Sequence, residues 1–376
     1  MKKKTLSWIK IILVNVFILL FLLKIIDPFV KTDFAYIPET KRSIVLREIH
    51  PNLNIQFKNR QQISSNPKAE LKTIFVKTDK DGFLRNKIDF NENDSTDIIF
   101  FGGSTTASLY VDEKLRWTHL VEKNLSEIKG REVTVLNSSN SGNHSFHSNL
   151  SLISKGLEKN PKVCVLMNVI NDIGLLTKTN SYFATPISRS IINNKELTIN
   201  ESNDYNELIY FFKTSLRGIF PNIYGIIRDR ILGYNSINFK QDEFSDYRNQ
   251  EINKNEVLNQ YDKSINLFID ICLRYSITPI IMTQFNLINL ENFDNVLMGY
   301  KKDYLNENQI KDFMDVYIES NNLLRKISKE RNIRLIDLDS MIPKKDSLFV
   351  DVIHLNNKGS ILVSEIITNQ LQELIQ

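Results

Sequence analysis

The sequence is poor in the features that assign a protein quickly. Its 376 residues hold only two cysteines, Cys164 and Cys272, which excludes a disulfide scaffold and a cysteine-based zinc site. Both lie in apolar segments and read as buried free thiols. Histidines are few as well, and His144 and His147 lack a third ligand at metal-binding spacing; they read as solvated residues at a helix start. No Gly-x-Gly-x-x-Gly follows a strand and no Walker loop occurs, so nucleotide binding is unsupported and no cofactor is expected. No basic excess stands out either. The net charge is +4, and the first ten residues carry four lysines without an acid, so the remainder is neutral. That argues against a nucleic-acid surface. There is no internal repeat. Only one long apolar run exists, which excludes a multi-span membrane protein. Hydrophobic residues at 42% and charged residues at 24% exclude pervasive disorder.

The single apolar run opens the chain. From Leu6 to Ile26 only Ser7, Lys10, Asn15 and Lys24 are polar. About 20 residues suffice to cross a hydrocarbon core roughly 30 Å thick, and lysines near the ends can snorkel. The lysine excess before the run keeps Met1 in the cytoplasm and sends the rest across. A cleaved signal peptide needs a small-residue A-x-A-like site. Lys24-Ile25-Ile26-Asp27-Pro28 stands there instead, so an uncleaved signal-anchor, one transmembrane helix, is expected within residues 1–29. Residues 30–376 are then expected on the periplasmic or extracellular side.

Residues 30–95 read as a small β-rich lead-in. Its one clear signal is the turn Asp79-Lys80-Asp81-Gly82 between the extended runs 73–76 and 83–85. From residue 96 apolar strands alternate with amphipathic helices. Strands are expected at 97–101, 132–136, 162–167, 279–283 and 333–338, and helices at 115–125, 146–157, 257–273, 310–329 and 361–374. Continuous apolar strands separated by helices predict a parallel sheet covered on both faces. Five strands fit a flavodoxin-like three-layer α/β/α domain spanning 96–376. Residues 175–254 break the rhythm. The stretch is too long for an ordinary connection and rich in aromatics, and it reads either as a packed helical insertion or as a lid or membrane-facing patch.

Sites in doubly wound sheets form at the carboxyl ends of strands. Gly102-Gly103-Ser104-Thr105-Thr106 follows the first strand, Asn137 to Asn143 the second, Asn168-Val169-Ile170-Asn171-Asp172 the third, and Asp351-Val352-Ile353-His354 precedes the final helix. A serine becomes a nucleophile when a base takes its proton. Among the five histidines only His354 has an acid three residues earlier in a turn. Asp351 can hold one ring nitrogen and leave the other for Ser104. Candidate donors to the oxyanion of a tetrahedral intermediate are the backbone N–H groups of Ser104 and Gly142 and the amide of Asn171. Other roles stay open: Ser104 is a helix-capping residue type, His354 lies near a helix start, and Asn171-Asp172 also reads as a turn or cap. Thr106 breaks the Gly-x-Ser-x-Gly elbow of α/β-hydrolases.

These blocks resemble the SGNH/GDSL hydrolase superfamily. Gly102-Gly103-Ser104 is similar to its first block, Gly142 to its second, Val169-Ile170-Asn171-Asp172 to its third and Asp351–His354 to its fifth. Gly103 stands where the usual motif has Asp, and Val169 where the third block has Gly. The tetrapeptide Ser141-Gly142-Asn143-His144 spells the family name by coincidence, since the name joins four separate blocks. The resemblance covers roughly residues 97–376. It implies a serine esterase or acyltransferase with a Ser104–His354–Asp351 triad, an oxyanion hole of Ser104, Gly142 and Asn171, and no metal. With the anchor it implies an envelope setting and an acyl ester substrate on a surface glycan, cleaved by an O-acyl esterase or modified by an O-acyltransferase. A non-catalytic glycan-binding or scaffold protein is the alternative of another class.

Overall fold

The computed structural model describes residues 2–29, 45–58, 73–85, 96–183, 192–193, 251–288 and 307–375, with positions 215, 219, 220 and 223. Most of the expected insertion at 175–254, and with it the choice between packed insertion and lid, lies outside the described residues. The chain divides into two compact units, Met1–Lys41 with Asn194–Asn238, and Arg42–Asn193 with Phe239–Gln376.

In the first unit, helix α1 runs over Lys2–Ile26 and ends in a single 3-10 turn at Asp27–Phe29. The Asp27 carboxylate is buried and accepts from the Ile223 N–H at 2.8 Å. Lys24 Nζ donates to the Ile219 carbonyl at 2.6 Å. Of the polar side chains in the apolar run, Asn15 bonds within its own helix, its Nδ2 donating to the Ile11 carbonyl at 2.8 Å. Among the described residues no helix is long and apolar enough to cross a membrane; the side chains of α1 are described from Lys10 on.

Among its described residues the second unit holds three sheets. Two are small antiparallel pairs: β1 (Val45–Leu46) with β7 (Ile192–Asn193), and β2 (Asn54–Lys58) with β3 (Thr73–Lys77). The main sheet contains β4 (Ile98–Gly102), β5 (Val135–Asn137), β6 (Val163–Met167), β8 (Thr278–Met282) and β9 (Arg334–Ile336). Its spatial order is β5-β4-β6-β8-β9 and all its pairings are parallel. This is the expected five-stranded parallel sheet, and it changes direction of winding between β4 and β6, the place where a doubly wound sheet opens a crevice.

The period-two alternation of each strand explains why these strands read as unbroken apolar runs. Ile99, Phe101, Cys164, Leu166 and Ile281 point into one core. Ile98, Phe100, Val163, Val165, Met167, Ile280 and Met282 point into the other. The first core is closed by α4 (Ser145–Ser151), α5 (Ile170–Thr179), α6 (Lys254–Arg274) and α7 (Glu307–Arg331), and the second by α3 (Trp117–Lys129), the short α8 (Leu338–Met341) and α9 (Asn357–Leu371). Phe100 meets Trp117 edge-on with centroids 4.9 Å apart, while its neighbour Phe101 meets Phe268 on the opposite face at 5.5 Å. Truncating either phenylalanine to alanine would cost about 3–5 kcal/mol. The two cysteines are free and buried, as expected.

Three local expectations shift. The second strand pairs over Val135–Asn137 rather than 132–136, because Thr134 turns its carbonyl to the N–H groups of Asp97 and Ile98. The helix expected at 146–157 is α4 followed by a π-turn at Leu152–Gly156. In the lead-in, 73–76 is a strand as expected, whereas in 83–85 only Leu84 is paired, bridging to Thr78 and Asn137.

Candidate active site

The turn after β4 begins the site. Gly103 is the cap residue of the short helix α2 (Ser104–Ala107), so Ser104 is its first helical residue and not its cap. Its hydroxyl is directed elsewhere: Ser104 Oγ lies 2.8 Å from His354 Nε2. On the far side of the ring, His354 Nδ1 lies 2.7 Å from Asp351 Oδ2. The second oxygen, Asp351 Oδ1, accepts from the backbone N–H of Ile353 at 2.9 Å and of His354 at 2.8 Å. Burial acts to raise the Asp351 pKa, but the hydrogen bond and charge of His354 and these two N–H groups outweigh it and hold the carboxyl below its ordinary value. Nor does His354 cap a helix: Asn356 does, accepting from Lys358 and Gly359 at the start of α9. An ionised carboxylate at Nδ1 fixes the tautomer that leaves Nε2 free to accept a proton from the serine.

The donor side of the site is built from the loops after β5 and β6. Asn140 N donates to the Gly102 carbonyl at 3.3 Å and Asn143 N closes a turn onto Asn140 at 3.0 Å. Gly142 sits inside that turn at φ +80°, a left-handed conformation that glycine takes without strain. The Asn143 carbonyl accepts two amides, Asn168 Nδ2 at 2.9 Å and Asn171 Nδ2 at 2.8 Å. Asn171 therefore lies in the first turn of α5, beside the serine turn. A Cβ on Gly103 would come within 2.3 Å of Asn171 Nδ2 and 3.0 Å of the Asn143 carbonyl. This packing accounts for glycine at position 103, where the resembling motif carries Asp: a side chain there would displace Asn171.

Gln284, at the end of β8, ties these turns together and escaped the sequence reading. Its Nε2 donates to Thr105 Oγ1 at 3.1 Å and its Oε1 accepts from the Ile170 N–H at 2.8 Å. One buried amide thus braces the residue after Ser104 and the residue before Asn171. The signal was available, since position 284 is a polar residue directly after a strand. Tyr110 was also missed. Its ring packs against His354 with centroids 4.4 Å apart, and no sequence pattern marks it.

Asp172, next to Asn171, turns inward. It is fully buried and its Oδ1 accepts from Ser145 N at 2.9 Å, from Ser145 Oγ, and from Tyr182 OH at 2.6 Å. Burial pushes its pKa up to about 6 against the lowering effect of Ser145 and Tyr182. His144 and His147 correct the expectation of solvated residues. They do stand at a helix start, with His144 N donating to His147 Nδ1 at 3.2 Å, but both are buried and their rings stack 3.7 Å apart. The Asp172–Ser145 contact pulls this segment under α5 and so takes the imidazoles out of water. Among the described residues no group of histidine, cysteine and carboxylate side chains is arranged to hold a metal ion.

No family model matches the chain, and no curated protein matches it. Among solved structures, the chain is similar to the acetyl xylan esterase AlAXEase, at 15% identity over 73% of this chain and 99% of that one, with a TM-score of 0.39. It is similar to a GDSL-like lipase from Bacteroides thetaiotaomicron at 10% identity, over 74% and 89%, with a TM-score of 0.39. A lipase/acylhydrolase from Enterococcus faecalis matches at 14% identity, over 75% and 97%, with a TM-score of 0.37. At these levels the roles of individual residues rest on this chain's own geometry.

Proposed function

We propose that the protein is a serine-dependent ester hydrolase, an O-acyl esterase acting through Ser104, His354 and Asp351. The observation that carries this reading is the continuous relay from Ser104 Oγ through the His354 ring to Asp351, with links of 2.8 and 2.7 Å. His354 Nε2 takes the hydroxyl proton as Oγ bonds to the acyl carbon. The carbonyl oxygen becomes an oxyanion, which the backbone N–H groups of Ser104 and Gly142 and the Asn171 amide stabilise. The ester C–O bond then breaks and the leaving oxygen takes the proton from Nε2. Water attacks the acyl-enzyme, gives its proton to Nε2, and the acid leaves as Oγ recovers that proton. The relay favours this over a binding or scaffold role, which has no use for a serine aimed at a tautomer-fixed imidazole.

The substrate class we infer is an acylated glycan outside the cytoplasmic membrane, with α1 as an uncleaved anchor. Ile11 to Ile26 of α1 offer apolar side chains around the helix, with Phe17 70% and Phe21 58% exposed, and Asn15 Nδ2 donates within the helix to the Ile11 carbonyl. The glycan follows from the family resemblance. The test uses the purified protein, an aryl acetate and an acetylated glycan. A fluorophosphonate should label Ser104, and acetate release from both esters should fall to background in Ser104→Ala. Undiminished turnover in Ser104→Ala overturns the mechanism. Acyl groups appearing on an acceptor glycan faster than as free acid would replace hydrolysis by transfer.

A further inference from the structure

The ring of Tyr110 packs on the imidazole of His354, with centroids 4.4 Å apart and planes inclined by 49°. Resting on the relay reading above, we propose that Tyr110 is a positioning residue that holds the His354 ring in line and stabilises the imidazolium formed when Ser104 gives up its proton.

Two hydrogen bonds hold the imidazole at its nitrogens, but rotation about its Cβ–Cγ bond would break both together. A ring packed on one face blocks that swing. The placement of Tyr110 is itself fixed from both sides of the relay. It follows α2, which carries Ser104, and lies inside the turn closed by Val111 N on the Ser108 carbonyl at 3.2 Å. Two residues later, Asp112 is clamped to the start of α9 just after His354: its N–H donates to Asn357 Oδ1 at 3.1 Å and its Oδ2 accepts from Asn357 Nδ2 at 2.6 Å. Ser360 Oγ adds a bond to the Leu115 carbonyl at 2.7 Å. The loop bearing Tyr110 therefore moves with the helix that follows the histidine.

The second contribution is electrostatic. An aromatic quadrupole attracts a cation within about 6 Å of its centroid. The groups facing His354 are the Asp351 carboxylate, the Ser104 hydroxyl and this ring. Burial and the nearby Asp351 carboxylate both raise the Tyr110 pKa, so the phenol stays neutral and its ring adds no competing charge. The imidazolium is thus matched by an ionised carboxylate at one nitrogen and an aromatic ring beside it, in a place partly closed to water.

The quadrupole and the packed volume are separable. Tyr110→Phe keeps the ring, and kcat should stay within about twofold. Tyr110→Leu fills similar space without a quadrupole, and kcat should fall about tenfold with KM unchanged, the size of a partly desolvated cation–π contact. A trifluorinated phenylalanine at position 110 keeps the shape and drains the ring of charge; its kcat should lie several-fold below that of Tyr110→Phe, which keeps the comparison sound even if Tyr110→Leu misfolds. The rate of Ser104 labelling by a neutral fluorophosphonate should follow the same order, since it reads activation of the serine without glycan binding. Equal rates for the fluorinated and plain rings, at equal Tm, would overturn the proposal. If the parent protein is not labelled at Ser104 and Ser104→Ala turns over normally, the relay itself is wrong and Tyr110 loses its role with it. A labelled parent with a fully active Tyr110→Leu removes Tyr110 alone.

Discussion

Ser104 Oγ and His354 Nε2 lie 2.8 Å apart although 250 positions separate them in the chain. The parallel sheet makes this possible by delivering the ends of its strands to one edge, where the turn after the first main strand and the loop before the last helix face each other.

Asp351 is expected to act only as a fixed anion. Asp351→Asn should lower kcat by about 10³–10⁴-fold, because an amide at Nδ1 admits the tautomer that places a proton on Nε2. In the parent the carboxyl of Asp351, held below its ordinary value by His354 and two backbone N–H groups, stays ionised across the ordinary carboxylate range, so its own titration should leave no step in the rate there. A pH–rate profile of both proteins checks this, and a fully active Asp351→Asn contradicts it.

Asn171→Ala removes the proposed oxyanion donor and one of the two amides on the Asn143 carbonyl. A fall in kcat on the order of 10²–10³-fold with little change in KM is expected. If KM alone rises, Asn171 contacts substrate instead.

Asp172 makes a prediction about stability. Its pKa is raised from 3.8 to about 6, so the folded state holds the proton more tightly than the unfolded chain. Its contribution is greatest below the unfolded value and declines as pH rises from about 4 through 6. Asp172→Asn keeps an acceptor oxygen for Ser145 and Tyr182, and it replaces an oxygen, Oδ2, that has no hydrogen-bond partner among the described residues. The variant should lose that pH dependence and be more stable at pH 8, by on the order of 3 kcal/mol at most. Urea denaturation of both proteins between pH 4 and 8 would show it; parallel curves would count against it.

The anchor is tested by topology. A reporter active only after export, fused after Gln376, should be active, and the protein should stay with membranes after a high-salt wash. A reporter that works only in the cytoplasm would reverse the orientation.

Much of the sheet was legible because its strands are buried on both faces and so read as apolar runs, and the relay was legible because strand-end polar residues converge in such sheets. The Asp-x-x-His spacing pointed to His354 among five histidines. What stayed hidden depends on contacts between distant segments. Gln284 acts by bridging Thr105 and Ile170, a role its place after a strand does not by itself reveal, and Tyr110 by touching a ring far along the chain, which no local pattern marks. His144 and His147 misled because polar residues at a helix start are usually solvated, and the burial comes from Asp172, a residue in another helix. Of the two antiparallel pairs only β3 was seen; β1 and β7 are two-residue strands and β2 carries no turn signal, so their pairings left no pattern to read.

On the proposed mechanism, the order in which the relay's parts occur along the chain sets when the protein could first react. The serine turn, its donor loops and four of the five main strands are complete by Met282, yet the base arrives with Asp351 and His354, and α9 must then dock on the second core. On the proposed mechanism, a nascent or truncated chain ending before that point carries Ser104 without the imidazole that would activate it. Partly synthesised chains would then be silent toward esters until the last few dozen residues have been made and folded.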